Sequence, residues 1–151
     1  IVNVDSKTFI NNKVLQEEVF GPSSVNVEAK TKDEFVEIAK SLEGHLTASI
    51  FATETDLKNN SELISVLEQK VGRIIVNAFP TGVEVCHAMV HGGPFPATTD
   101  SRSTSVGTGA ILRFARPVFY QGFPDLLLPD ELKNNNPLHI WRMVEGERTR
   151  I

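Results

Sequence analysis

The stretch Gln16-Glu17-Glu18-Val19-Phe20-Gly21-Pro22 puts two carboxylates beside an aromatic ring and closes on Gly-Pro, a pair that breaks regular structure and fixes a turn. A carboxylate presented at such a turn can accept hydrogen bonds from both hydroxyls of a ribose, because an ionised Glu offers two acceptor oxygens and no donor. The neighbouring Phe20 can pack against a flat ring. The same seven residues also suit a solvated acidic pair before a loop, with Phe20 tucked into the core.

Other reactive side chains give weaker patterns. Cys86 and His87 are adjacent, and adjacent side chains in extended backbone point to opposite sides, so they cannot share a proton as a hydrolase dyad. Cys86 reads as a buried small hydrophobe. The four histidines lack ligand spacing and one cysteine cannot build a zinc site, so no metal centre is expected. Gly107-Thr108-Gly109 is too short for a phosphate cradle and no strand leads into it.

The elements that must position these groups follow from periodicity. Ile1-Val2-Asn3-Val4 alternates like a short strand, Asp5 to Lys13 reads as a loop or brief helical turn, and Val25 and Val27 mark a second strand. Thr31-Lys32-Asp33-Glu34 is a capping box. Phe35, Ile38, Ala39 and Leu42 then line one helical face, with Gly44 as the stop. Leu46 to Thr53 reads as a strand covered on both faces. Asp56 or Ser61 can cap the next helix, with Leu63, Ile64 and Leu67 inward, and Arg73 to Asn77 is the most apolar strand. Residues 25 to 77 thus read as β-α-β-α-β, the signature of a parallel α/β sheet.

From Ala78 to Ser105 both periodicities vanish and Gly, Pro, Ser and Thr crowd in. A loop this long is usually functional or disordered, and ligands of α/β sheets gather beyond the carboxyl ends of strands, where this loop departs, which favours a binding site. Asn77, at the end of the apolar strand, can satisfy loop backbone groups. Val106 to Phe114 fits a short helix ended by Pro117, Asp130 to Asn134 another, and Ile140 to Val144 with Arg148 to Ile151 a hairpin around Glu145-Gly146.

Bulk properties exclude several classes. The chain has 151 residues, 40% hydrophobic and 23% charged, which suits one globular domain with a sizeable core. A formal charge of −4 without a basic cluster argues against a nucleic-acid partner. No apolar run is long enough to span a bilayer, no secretory signal opens the chain, and one cysteine gives no disulfide framework, so cytoplasm is the expected compartment. Asn59-Asn60-Ser61, formally a glycosylation sequon, then reads as a loop or helix start. The chain opens on Ile1 directly in a strand-like run, and the expectation is that it was cut or that further polypeptide belongs to it.

Glu17 to Pro22 resembles the Glu-Glu-x-Phe-Gly-Pro motif of the aldehyde dehydrogenase superfamily. The resemblance continues through Gly44 to Thr53, Gly72 to Asn77 and His91-Gly92-Gly93-Pro94-Phe95-Pro96-Ala97-Thr98-Thr99-Asp100, and so covers nearly the whole chain. The last segment, with Ser101 to Gly107 and Arg116-Pro117-Val118-Phe119-Tyr120-Gln121, is similar to the α-ketoglutarate semialdehyde (2,5-dioxovalerate) dehydrogenase subgroup.

The resemblance implies the C-terminal part of an aldehyde dehydrogenase catalytic domain over residues 1–113, and over 114–151 an irregular tail that serves oligomerisation or domain packing. It implies NAD or NADP as cofactor, an aldehyde substrate, the remaining N-terminal polypeptide as partner and a homo-oligomer. Glu18 is then the carboxylate on the nicotinamide ribose and Phe20 packs beside the nicotinamide, while Glu17 is a solvated or salt-bridged surface group. No catalytic residue is expected in this chain, because the family's nucleophilic cysteine lies upstream of the motif and Cys86 lies after it. Phe79 and Phe95 are candidate substrate walls or core residues, Phe95 matching the Pro-Phe pair of the family's Pro-Phe-Gly-Gly element, although the order here is Gly-Gly-Pro-Phe-Pro. Arg102 suits a substrate carboxylate or braces the loop, where His87 and His91 are the other basic groups. The rival reading is a non-catalytic α/β binding or regulatory module on the same scaffold.

Overall fold

The computed structural model describes residues 1–150. One unit is Ile1–Ala115 and a second begins at Arg116. In the first, β1 (Val2–Asp5) leads into α1 (Ser6–Asn11), capped by Asp5, which accepts the Thr8 N–H at 2.7 Å. That bond is the main cause holding the Asp5 carboxyl below its ordinary range. A 3-10 turn (Lys13–Gln16) and an irregular stretch lead to β2 (Val25–Glu28).

Helix α2 (Lys32–Ser41) starts where the capping box predicts, with Thr31 Oγ1 accepting the Glu34 N–H at 3.2 Å. The returning half is displaced by one residue: Glu34 Oε2 accepts the Lys30 N–H at 2.8 Å instead of that of Thr31. Gly44 does not stop the helix, which ends at Ser41 with Leu42 already extended. After β3 (His45–Ile50), the single helix expected from the sequence is two, α3 (Glu54–Asn59) and α4 (Ser61–Glu68). Thr53 is the cap of α3, and Asp56 is its reciprocal partner. The Thr53 hydroxyl, at 2.6 Å, is the main reason the Asp56 carboxyl is held low. α4 begins at Asn60 without a side-chain cap bond, and β4 (Val71–Val76) follows.

Strands and helices over residues 25–77 alternate as expected, yet they do not form one sheet. β2 pairs in parallel with β1, Val2 opposite Val25, and β3 pairs in parallel with β4, His45 opposite Val71. Among the described residues no strand joins these two pairs. Hydrophobic period identifies strands but carries no information on which strands become neighbours.

The core is small. Val36 and Ala39 of α2 and Leu63 and Leu67 of α4 pack on Ala48, Ile50 and Ile74 of the β3–β4 pair. Phe9 and Val71 are the other buried apolar side chains among the described residues. Of the stripe predicted to face inward on α2, only Ala39 is buried, and Phe35 is 50% exposed. β3 is half-buried along its last four residues and exposed at His45 and Leu46, so it is not covered on both faces. Six apolar side chains are buried among the described residues, so the sizeable core that the length permits is not realised in this chain.

No helix or strand interrupts residues 77–107. Asn77, at φ 53°, starts this loop by clamping the strand end: its N–H donates to Ile50 O at 2.8 Å, and its side-chain amide exchanges two 2.9 Å bonds with the Ala52 backbone. The loop then turns back along the strands. Arg73 Nη1 donates to Gly82 O at 2.7 Å, and residues 92–95 lie against the starts of β3 and β4. There the packing is backbone on backbone: a Cβ on Gly44 would stand 2.2 Å from Pro94 O, one on Gly72 1.9 Å from Gly92 O, and one on Gly93 2.4 Å from His45 O. Thr104, buried, holds the His91 N–H at 2.8 Å and closes the loop on itself. A 3-10 turn (Thr108–Ala110) and α5 (Ile111–Phe114) end the unit.

In the second unit a 3-10 turn covers Asp125–Leu127, and β5 (Arg142–Val144) and β6 (Glu147–Thr149) form the expected antiparallel hairpin. Glu145 and Gly146 supply the two positive φ values, 50° and 84°, that a tight hairpin turn needs. The hairpin's expected last residue, Ile151, lies outside the described residues. The helix expected at 130–134 is replaced by turns. Asp125 Oδ1 takes the Asn134 N–H at 2.8 Å, and Asn136, 1% exposed and at φ 45°, bonds the backbone of Ile140 and Arg150. Side-chain oxygens and amides here outcompete the helical backbone ladder.

Candidate functional site

Glu18 follows the Lys13–Gln16 turn and lines a crevice of about 900 Å³. Three segments wall it: the turn with Glu17 and Glu18, residues 43–47 at the start of β3, and Pro96–Ala97 of the long loop. Lys13 and Gln16 fix the first wall, Lys13 Nζ donating to Ser41 O at 3.2 Å and Gln16 Nε2 to Phe9 O at 3.1 Å. The glycine contacts fix the third wall against the second. Gly21, at φ 151°, lets the chain leave the motif in a conformation a side chain would resist.

The Glu18 carboxylate makes no hydrogen bond or ion pair with the described residues, so all its acceptor sites face solvent and the crevice. A cleft of this size suits a mononucleotide-sized group, and a free carboxylate on its wall suits a diol. A carboxylate so placed can accept both hydrogen bonds of a ribose diol. Glu17, expected to be a surface group, is exposed and lines the same crevice.

The other sequence candidates are not gathered there. Phe20 is 92% exposed and does not line the crevice, which removes the core reading. Phe95, 79% exposed, precedes the lining residue Pro96 through a cis peptide bond. Phe79 packs against Phe51 with ring centroids 5.2 Å apart and the ring planes tilted by 52°. That pair sits past the carboxyl end of β3 while Glu18 faces its beginning, roughly 20 Å away along the strand.

Arg102 forks onto Asp100, with Nε to Oδ1 at 2.9 Å, Nη2 to Oδ2 at 3.3 Å, and its own backbone N–H to Oδ1 at 3.0 Å. These bonds push the Asp100 carboxyl below its usual range and the guanidinium above its own. In this chain Arg102 braces the loop.

Cys86 is exposed, against the expectation of a buried hydrophobe, because no element of the chain covers residues 84–88. His87 turns away from it to Thr108, Nδ1 to Oγ1 at 3.2 Å, and His91 Nδ1 lies 3.1 Å from Ser105 Oγ. No cluster of metal-ligating side chains occurs among the described residues. No helix among them is long and apolar enough to cross a membrane. Sequence reasoning missed the start of β3 as a site wall, because the contacts of Gly44, Gly72 and Gly93 that place it join residues far apart in the chain.

No protein-family model matches the chain. It is 56% identical over 138 residues to the alpha-ketoglutaric semialdehyde dehydrogenase of Acinetobacter baylyi, covering 91% of this chain and 26% of that protein. It is 48% identical over 147 residues to alpha-ketoglutaric semialdehyde dehydrogenase 2 of Azospirillum brasilense, covering 97% of this chain and 28% of that protein. The chain thus spans about a quarter of the length of these curated relatives.

Proposed function

We propose that this chain, 56% and 48% identical to two proteins named alpha-ketoglutaric semialdehyde dehydrogenase, belongs to the aldehyde dehydrogenase superfamily and is the C-terminal segment of an NAD- or NADP-dependent enzyme that oxidises an aldehyde, α-ketoglutarate semialdehyde, to the acid. The observation that carries this reading is Glu18, an unengaged carboxylate on the wall of a crevice built from three separate segments. Its two oxygens would accept hydrogen bonds from the ribose hydroxyls and so position the ring attached to that sugar. A bound nicotinamide would supply the hydride acceptor. Phe20 is free to pack beside that ring, and Phe95 and Phe79 are candidate substrate walls. Arg102 can meet a substrate carboxylate only by sharing or leaving Asp100.

The nucleophile belongs to polypeptide beyond these residues, so the 151-residue chain alone is catalytically silent. Residues 114–151 are read as the arm for oligomerisation or domain packing. They carry exposed Phe119, Leu126, Trp141 and Met143, apolar surface that a neighbour would cover.

The test is Glu18→Gln in the full-length enzyme. The substitution keeps the shape and removes the charge that makes both oxygens strong acceptors, so kcat/KM for the cofactor should fall at least about tenfold. Unchanged kinetics with both NAD and NADP would take Glu18 out of the site. Aldehyde-dependent cofactor reduction by the 151-residue chain alone would overturn the reading of a silent segment.

A further inference from the structure

Thr104 does not line the crevice, but its bonds lead to one of the crevice walls. The side chain is buried, and its hydroxyl is fully committed. Oγ1 accepts the His91 N–H at 2.8 Å and the Val106 N–H at 3.4 Å, and it donates its one proton to Val106 O at 2.9 Å. Ser105, which is exposed, grips the same residue from outside. Its N–H donates to His91 O at 3.1 Å and its hydroxyl to that same oxygen at 3.0 Å. The hydroxyl also lies 3.1 Å from His91 Nδ1, and since its one proton goes to the carbonyl, the ring must be the donor in that contact. Residue 91 and residues 104–106 are thus clasped by backbone and side chains together, and the segment between them is a closed loop.

That loop has little slack where it meets the crevice. A Cβ on Gly92 would stand 3.2 Å from Ser103 O, and one on Gly93 would stand 2.4 Å from His45 O, on the second wall. Gly93 O takes the Thr98 hydroxyl at 2.9 Å, and Pro94 O takes the Ala97 N–H at 2.9 Å. Pro96 and Ala97, inside this turn, are the third wall. The route from Thr104 to that wall therefore runs through the backbone of His91, Gly92 and Gly93, and close-packed backbone passes on a displacement that a flexible side chain would absorb. A Thr hydroxyl that served only its own turn would bond neighbours along the chain; Thr104 also holds a residue thirteen positions away.

We propose that Thr104 is a positioning residue: with Ser105 it clasps His91, and so holds Pro96 and Ala97 at the spacing from the Glu18 wall that the sugar of the cofactor requires. This rests on the reading of the crevice as the cofactor site. Thr104 touches neither cofactor nor substrate and acts through the loop alone.

The full-length enzyme carries the test, as Thr104→Val, which keeps the shape and removes the hydroxyl, and Thr104→Ser, which keeps the hydroxyl. Two quantities are read: hydrogen exchange in a peptide spanning residues 92–98, and the equilibrium Kd for NAD or NADP by calorimetry without aldehyde. Thr104→Val should speed the exchange at least about tenfold, as loss of buried hydrogen bonds does. It should raise the Kd about tenfold while kcat at saturating cofactor stays within about threefold, because the wall contributes to binding and not to the chemical step. Thr104→Ser should bring both quantities back to within about twofold of the original enzyme. If Thr104→Val does not fold, Ser105→Ala decides instead, with an expected rise of about threefold in both. Unchanged exchange would overturn the proposal, since Thr104 would not hold the wall. Faster exchange with an unchanged Kd would overturn it too, since the wall would move without consequence. A Thr104→Ser enzyme as impaired as Thr104→Val would assign the effect to packing of the methyl group and remove the clasp. Glu18→Gln, measured alongside, separates the two readings. If it weakens cofactor binding and Thr104→Val does not, only the positioning role falls; if it leaves binding unchanged, the cofactor reading of the crevice falls with it.

Discussion

The two stretches richest in sequence signal, Gly72–Asn77 with its loop partner Gly92–Pro94, and Gln16–Pro22, are treated in opposite ways by the fold. In the first, every special residue is held by the chain itself: Gly72 against Gly92, Gly44 against Pro94, Asn77 against Ala52. In the second, Glu18 bonds nothing among the described residues, Phe20 is 92% exposed, and a Cβ on Gly21 would meet none of them within 4 Å. A residue whose partner is in the same chain is recognised by its contacts. Residues left without contacts beside a crevice mark a candidate site instead.

The contrast can be broken or sharpened by substitution. Gly72→Ala should have the largest effect, because the new Cβ meets backbone 1.9 Å away and the neighbour cannot yield as a side chain would. We expect about 3 kcal/mol of destabilisation in urea unfolding, with Gly44→Ala close behind. Asn77→Ala should cost about 1–2 kcal/mol, from two lost bonds and a positive φ that alanine resists. Asn77→Gly should recover only the part due to φ, and full recovery would mean the amide clamp contributes nothing.

A smaller effect belongs to the Asp100–Arg102 brace. The Asp100 carboxyl is depressed mainly by its bonds to Arg102, so the brace is complete above the ordinary carboxylate pKa and is lost as pH falls through the lowered folded value. An NMR titration should show Asp100 protonating below a free aspartate, and Arg102→Ala should return it to the ordinary range. Smallest of all, Glu18→Gln and Phe20→Ala should change the unfolding free energy of this chain by less than about 0.5 kcal/mol. A larger loss would mean that the motif is held by contacts within the chain, and the contrast would collapse.

How much of this was readable beforehand follows the range of the interactions. Thr31 and Glu34, three residues apart, set the start of α2, and Glu145-Gly146 set the hairpin turn, because both act within one turn of backbone. Gly44 was misread as a helix stop: its reason for being glycine is Pro94, fifty residues on, and nothing local reveals that. The helix expected at 130–134 failed for a related reason, since Asp125 and Asn136 bond backbone across the tail instead of capping a ladder. Within the site, the motif announced Glu18, but the crevice depends on the start of β3 and on Pro96–Ala97, and only folding brings those to it.

The sequence by itself determined short-range features, among them the capped start of α2, the alternation of strands and helices over residues 25–77 and the hairpin turn, together with the family likeness carried along the chain. Tertiary structure decided strand partnership, which backbone meets which glycine, and which apolar faces stay open. The physical reason is that periodicity and capping act over a few residues along the chain, whereas pairing and close packing depend on surfaces that exist only after the chain has folded.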